Sequence, residues 1–324
     1  MATNRGKILD MHNQKQAIKS KATNLNKIGK IASCPLLALL ALTAPANAFE
    51  LKLTAPDGSE SDLFGESVAL GDNLALIGAI GDDENGSNSG SAYLFDTTTG
   101  SLLQKFTPPD GSRRDLFGDS VALRDNLALI GAPEDDENGS NSGSAYLFDT
   151  TTGSLLQKFT APDGSESDLF GGSVALSDHL ALIGAIGDDE NGLLSGSAYL
   201  FDTTTGSLLQ KFTAPDGSES DLFGGSVALS DHLALIGAIG DDENGLLSGS
   251  AYLFDTTTGS LLQKFTAPDG SESDLFGGSV ALSDHLALIG AIGDDENGLL
   301  SGSAYLFDTT TGSLLQKFTA PDGS

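Results

Sequence analysis

The chain has 324 residues, and its 45 Asp and Glu against 16 Lys and Arg give a formal net charge of −29. This balance excludes nucleic acid as a partner, because phosphate binding needs clustered Lys and Arg, and it disfavours anionic membrane surfaces. Cys34 is the only cysteine, which excludes a disulfide framework within the chain.

Residues 1–48 differ in composition from the rest of the chain. They carry seven Lys and Arg and one acid, then an apolar run over residues 31–44, and they end in Ala46-Asn47-Ala48. This pattern predicts a secretory signal peptide that is cleaved near Ala48, since an apolar run of about 14 residues is too short to span a membrane. We therefore expect a secreted, periplasmic or cell-surface protein without membrane insertion. Its remaining residues, 49–324, carry a net charge of −35.

Residues 49–324 repeat one sequence unit with a period of 53 residues. The tripeptide Leu-Phe-Gly recurs at this interval, starting at Leu63, Leu116, Leu169, Leu222 and Leu275. A fixed period of this kind is typical of propellers, solenoids and other arrays. We divide the region into an extra strand at 49–56 and repeats at 64–116, 117–169, 170–222, 223–275 and 276–324.

The third repeat contains four short β-type runs, which we predict as strands at 173–176, 180–185, 197–201 and 208–213. Gly, Asp and Pro turns separate them, as in an antiparallel meander. The second and third strands are apolar on both faces and therefore need cover on both sides, which stacked propeller blades provide. The fourth strand alternates polar and apolar residues, as expected at an outer edge, where lysines such as Lys211 discourage edge-to-edge aggregation.

These patterns predict an all-β fold, a β-propeller of five four-stranded antiparallel blades. A fragment of a larger propeller and a β-solenoid are the alternatives. The fourth-strand motif occurs six times and the other three strands five times. Ring closure, the number of blades and the oligomeric state therefore stay open at this point.

The second repeat carries three short motifs at a fixed spacing: Phe117-Gly118, the run from Ser120 to Leu123, and Gly131-Ala132-Pro133. In these motifs it resembles an FG-GAP repeat, the blade unit of integrin α-subunit propellers and of many bacterial surface proteins. The resemblance extends to all five repeats, although four of them read Gly-Ala-Ile at the last motif, as at Gly184-Ala185-Ile186. It implies a propeller used for adhesion or recognition.

Calcium-binding members of that family carry an Asp-rich loop between the first two strands of a blade. Here that connection is only Ser177-Asp178-His179 or its equivalents, so the family's calcium site is not carried over. The loop between the second and third strands is instead rich in carboxylates, which are ligands that calcium accepts. Solvated turns are the alternative interpretation. The calcium candidates are Asp82, Asp83, Glu84, Asp135, Asp136, Glu137, Asp188, Asp189, Glu190, Asp241, Asp242, Glu243, Asp294, Asp295 and Glu296.

No catalytic constellation emerges from the sequence, and we predict that the protein is not an enzyme. His179, His232 and His285 occupy the same turn of three different repeats, so we expect them to cap turns rather than converge on one site. Repeats three to five are identical over their whole shared length, whereas an active site needs different residues at one place. We expect a binding or adhesion module for a protein, glycan or surface polymer. A structural envelope or matrix domain and a non-catalytic part of a larger secreted enzyme are the alternatives.

Overall fold

The computed structural model describes residues 51–230, 232–283 and 285–320. These residues form twenty β-strands and no α-helix, and so include no helix that could cross a membrane. The strands form five sheets, each made of four consecutive antiparallel strands in chain order. The predicted signal peptide at 1–48 lies outside the described residues.

Each sheet is one blade. Blade 1 contains β1 (Phe64–Leu70), β2 (Leu74–Ala79), β3 (Ser91–Asp96) and β4 (Leu102–Phe106). Blade 2 contains β5 (Val121–Arg124), β6 (Leu127–Ala132), β7 (Ser144–Asp149) and β8 (Leu155–Phe159). Blade 3 contains β9 (Phe170–Leu176), β10 (Leu180–Ala185), β11 (Ser197–Asp202) and β12 (Leu208–Phe212). Blade 4 contains β13 (Phe223–Leu229), β14 (Leu233–Ala238), β15 (Ser250–Asp255) and β16 (Leu261–Phe265). Blade 5 contains β17 (Phe276–Ser283), β18 (Leu286–Ala291), β19 (Ser303–Asp308) and β20 (Leu314–Thr319).

The prediction of an all-β fold with five four-stranded propeller-type blades is confirmed. The middle strands of the third repeat lie where the sequence predicted them, but β9 begins at Phe170 rather than at Ser173. The difference arises from a bulge: Ser173 pairs with Gly184, the next paired residue is Phe170 opposite Ala185, and two glycines lie between them. Glycine suits such a bulge because it accepts positive φ, as Gly171 does at 96°.

The hydrophobic core lies between successive blades. Between blades 3 and 4, the buried Leu182 and Phe212 pack against Ile236 and Phe254, and the two phenylalanine rings are 4.8 Å apart. Equivalent clusters join the other neighbouring blades. The apolar residues on both faces of the middle strands are thus covered by the neighbouring blade, which is the arrangement that their pattern indicated.

The Phe-Gly motif joins each blade to the one before it. Phe223 forms a parallel bridge with Gly196 of blade 3, and its N–H donates to the carbonyl oxygen of Ser195 at 3.0 Å. The hydroxyl of Ser173 donates to the carbonyl oxygen of Gly224 at 2.7 Å. The two backbones meet so closely that a Cβ on Gly184 would overlap that same carbonyl oxygen. The motif is therefore an inter-blade contact.

The first strands of the blades converge. Arg124 of blade 2, Ser177 of blade 3, His232 of blade 4 and His285 of blade 5 line one cavity of about 870 Å³. Such convergence of innermost strands is a propeller-type arrangement.

Blades 1 and 5 each have a neighbouring blade on one side only in the described residues, unlike blades 2 to 4. Residues 51–56, predicted as an extra strand, join no sheet, because a fourth strand pairs with the third strand of its own blade and no strand precedes β1 in the described residues. Leu53 and Ala55 instead pack against Ile77 and Tyr93 of blade 1. At the other end, Leu288 of blade 5 is 39% exposed, although its equivalents in blades 1–4 are fully buried.

Substitution of Gly184 by alanine tests the contact between blades. We expect Gly184→Ala to lower the free energy of unfolding by about 1–3 kcal/mol, because the backbone oxygen that the new Cβ meets cannot rotate away. The matched control is Gly290→Ala, at the same place in blade 5, where the nearest atom to an added Cβ lies 3.7 Å away. Its effect should stay within about 0.5 kcal/mol. Urea unfolding of dilute protein at low salt measures both, and equal effects would contradict the packing described here.

Candidate functional site

A cluster of charged and polar side chains lies where the loop between β10 and β11 meets the link from blade 2. The hydroxyl of Tyr199 is 2.7 Å from Oδ2 of Asp188 and 2.9 Å from Oδ1 of Asp163. Nζ of Lys211 donates to Asp163 at 2.7 Å, Asp188 at 3.1 Å and Glu190 at 2.9 Å. The ammonium also lies 5.2 Å from the centre of the Tyr199 ring. All three N–H donors of the lysine are thus directed at carboxylates.

The same cluster occurs once in every blade, so it is part of the repeat. Its other four copies consist of Tyr93, Asp57, Asp82, Lys105 and Glu84; Tyr146, Asp110, Asp135, Lys158 and Glu137; Tyr252, Asp216, Asp241, Lys264 and Glu243; and Tyr305, Asp269, Asp294, Lys317 and Glu296. In each copy one aspartate comes from the link that enters the blade.

The local sequence places Asp188 for this role. Its Oδ1 accepts the backbone N–H of Glu190 and the hydroxyl of Ser197, each at 3.0 Å. Its carbonyl oxygen accepts the N–H of Gly196 at 2.8 Å, which closes the loop. Gly192 supplies the positive φ of 125° that the turn requires. The loop therefore holds Oδ2 of Asp188 towards the tyrosine and the lysine.

The protonation states in the cluster are fixed by burial and by charge. Burial raises the pKa of Asp163, but hydrogen bonds from Lys211 and Tyr199 outweigh it and hold the pKa below its usual value. Burial and the carboxylate of Asp188 raise the pKa of Tyr199. Burial lowers the pKa of Lys211, yet its carboxylate partners more than compensate and raise it. At neutral pH the tyrosine is neutral and the lysine is charged, so neither is poised to exchange a proton.

The link into blade 3 carries a further buried carboxylate, Asp168. The N–H and the hydroxyl of Ser165 donate to it at 2.6 and 2.9 Å. Burial raises the pKa of Asp168, and the nearby Asp188 and Asp189 add to the effect. The link is thus held by its own turn, next to the cluster.

The calcium candidates fall into two groups. The first and third acids of each loop, such as Asp188 and Glu190, contact the lysine of the cluster, whose ammonium already supplies positive charge among the carboxylates. The second acid, such as Asp189, is exposed. Within residues 51–230, 232–283 and 285–320, no group of three or more His, Cys, Asp or Glu is arranged to hold a metal ion. These contacts do not favour a calcium ion in the loops, and calcium binding stays a prediction.

The turns that contain His179, His232 and His285 each form a hydrogen bond with the turn between the third and fourth strands of the same blade. The carbonyl oxygen of His179 accepts the N–H of Thr203 at 2.9 Å, and Asn73 makes the equivalent bond to Thr97. The acceptor is a backbone oxygen, so the bond forms with either histidine or asparagine at this position. His232 and His285 line the cavity of about 870 Å³, which residues of β16 and of the turn between β19 and β20 also line.

The lysines of the fourth strand have a role that the sequence did not indicate. We expected them to be solvated edge residues, but the side chain of Lys211 is only 20% exposed and joins the link, the loop and the tyrosine. One signal in the sequence could have revealed this. Lys211 lies 48 residues after Asp163, 23 after Asp188 and 21 after Glu190, and these offsets recur in every repeat.

Replacement of Lys211 by methionine tests the cluster. We expect Lys211→Met to lower the free energy of unfolding at pH 7 by about 1–2 kcal/mol, between the values for exposed and buried ion pairs, because three carboxylates lose their common partner. Since the pKa of Asp163 is held below 3.8 by this lysine, its contribution is complete above that pH and is lost as the pH falls further. The difference between wild type and variant should therefore shrink below about pH 3.8.

The control for this comparison is Lys52→Met. Lys52 stands at the equivalent position of segment 51–56 and is exposed, so its replacement should change stability by less than about 0.5 kcal/mol. Urea unfolding between pH 2.5 and 7 measures both variants. A Lys211→Met variant as stable as wild type at pH 7 would show that the cluster does not stabilise the blade.

The FG-GAP repeat family model matches the chain five times, over residues 48–95, 101–148, 154–201, 207–254 and 260–307. The last four matches each begin at the fourth strand of one blade and continue through the first three strands of the next, and the first match has residues 51–56 in place of that fourth strand. No curated protein matches the chain. Because the matches cover well over half of the chain and include the Phe-Gly and Gly-Ala motifs at the contacts between blades, the chain belongs to the FG-GAP repeat family.

Proposed function

We propose that this chain is an exported, non-catalytic binding module that holds a repetitive, positively charged protein or polymer through the loops between the second and third strands of its blades. The observation that carries the proposal is the recurrence of one exposed acid at the same place in every blade. These acids are Asp83, Asp136, Asp189, Asp242 and Asp295.

The exposed acids have different bonding partners from their neighbours: Asp83, Asp136 and Asp242 each accept a backbone N–H of their own loop. Asp188 and Glu190 are bonded to Lys211, whereas Asp189 between them faces solvent. In blades 3 to 5 a leucine that is about half exposed or more follows in the same loop, at Leu193, Leu246 and Leu299. Each loop thus offers an exposed carboxylate to a partner, and the loops of blades 3 to 5 also offer an apolar group.

Repetition determines the kind of partner. Contacts that are individually weak gain affinity when several form at once, provided that the partner repeats as well. The net charge of −29 for the whole chain favours a cationic partner, because association is steered by opposite charge. The identity of repeats three to five over their shared length argues for the same contact made several times rather than for one catalytic centre.

Export is supported by the sequence of residues 1–48, which has the charge, the apolar run and the small residues of a signal peptide. The alternative, a purely structural repeat domain, would make no use of the exposed loop acids. Substitution of these acids should therefore weaken binding if the chain is a binding module, and should not change binding if it is a structural domain.

Neutralisation of the loops is the test. A variant with Asp83, Asp136, Asp189, Asp242 and Asp295 all replaced by Asn should bind long poly-lysine at least about tenfold more weakly than wild type, and short tri-lysine should bind poorly to both proteins. Surface plasmon resonance at several salt concentrations measures the affinities.

The control variant removes five charges at the turns between the third and fourth strands of the blades. Asp96, Asp149, Asp202, Asp255 and Asp308 accept backbone N–H groups of the threonines that follow them, a role that an Asn side chain can also fill. This variant should bind poly-lysine as wild type does. Equal weakening by both variants would mean that binding follows net charge alone, and the proposal would then be wrong.

A further inference from the structure

In the part of the chain that the structure describes, blade 5 has an apolar face that no other blade covers. Phe318 and Leu288 lie on the side of the blade that faces away from blade 4, and they are 48% and 39% exposed. The equivalent residues of blade 4, Phe265 and Leu235, are buried under blade 5. The sequences of the two fourth strands are the same. The difference in exposure therefore reflects position in the array and not a different surface.

The established contacts show what such a face binds. In the four interfaces within the chain it takes the Phe-Gly motif and the first strand of the following repeat. Between blades 4 and 5, Phe265 packs against the ring of Phe307 at 4.8 Å, and Ser226 donates to the carbonyl oxygen of Gly277 at 2.7 Å. We call the Phe-Gly motif and the first strand of a blade its leading edge. The partner that fits blade 5 is thus the leading edge of another FG-GAP repeat.

Blade 1 carries such a leading edge, and it is exposed. Val68 and Leu70 on β1 are 68% and 75% exposed, whereas Val121, the equivalent of Val68 in blade 2, is 9% exposed. A Cβ on Gly65 would have no atom within 4 Å, although the equivalent Gly118 lies against Ser91 of blade 1. Among the described residues, the first strand of blade 1 therefore has no counterpart of the contacts that the other four blades make with a preceding blade.

The segment 51–56 covers only the middle of this edge. Leu53 packs where a fourth-strand phenylalanine of a preceding blade would lie, next to Phe95 and Tyr93. In sequence, Leu53 corresponds to Phe318. The two residues are therefore candidates for one position, and a docked β20 would displace residues 51–54.

From these contacts we propose that blade 5 of one copy binds the leading edge of blade 1 of a second copy, with Phe318 replacing Leu53 against Phe95. The contact joins two different surfaces, so each added copy presents a new free face and assembly continues beyond the dimer. Because both copies are strongly acidic, salt should strengthen the assembly by screening their repulsion. This proposal does not depend on the proposed function. The two also respond to salt in opposite directions, because salt should strengthen the assembly of acidic copies and weaken the binding of a cationic partner.

Two complementary variants test the head-to-tail contact. Leu288→Glu blocks the face of blade 5, and Val68→Glu blocks the edge of blade 1. Sedimentation velocity of the purified protein at 0.1 and 0.5 M NaCl should show oligomers larger than dimers for wild type, and monomers for each variant alone. An equimolar mixture of the two variants should form a one-to-one dimer, because each supplies the surface that the other retains.

The control is Leu209→Glu, on the outer strand of blade 3, where the leucine is 50% exposed; this variant should assemble like wild type. Circular dichroism confirms that each variant is folded, and Phe318→Glu replaces Leu288→Glu if that variant is not. Wild type that stays monomeric at every concentration and salt would overturn the proposal. So would a Val68→Glu variant that dimerises alone, since two blade 5 faces would then bind each other, or a mixture that stays monomeric.

Discussion

Successive blades of this protein approach each other backbone to backbone at a pair of glycines. Gly184 of blade 3 faces the carbonyl oxygen of Gly224 in blade 4, where no side-chain atom would fit. This approach brings the two apolar sheet faces into contact along their whole length, from Leu182 and Phe212 to Ile236 and Phe254. Since each middle strand is apolar on both faces, a blade gains most of its burial from its neighbours, and stability is a property of the array.

The ion cluster links this packing to the loops that we propose for binding. Lys211 connects an aspartate of the incoming link to two acids of the loop, so the loop position depends on the preceding blade. Asp189 is thereby left facing solvent between two bonded acids. The same covalent unit, repeated with the same contacts, presents the same group in each blade. Order in the array thus produces the regular spacing on which multivalent binding depends.

Much of the fold followed from the sequence, because apolar residues on both faces of β10 and β11 require a stacked neighbour and the 53-residue period sets the length of the unit that repeats. The start of β9 was missed because its bulge depends on pairing with β10. The role of Lys211 was missed because its partners lie 48, 23 and 21 residues away and meet only in the folded blade. The open face of blade 5 could not be predicted, since its sequence equals that of covered blades.

Hydrogen exchange measures the dependence of one blade on the next most directly. The peptide Leu180–Leu194 has the same sequence as 233–247 and 286–300, so one mass-spectrometric signal reports three blades. At low protein concentration and low salt we predict two isotopic envelopes, a slow one from blades 3 and 4 and a fast one of half that area from blade 5, with constant areas over time. A single envelope would contradict the account, because the three blades would then be equally protected whether or not a blade follows them.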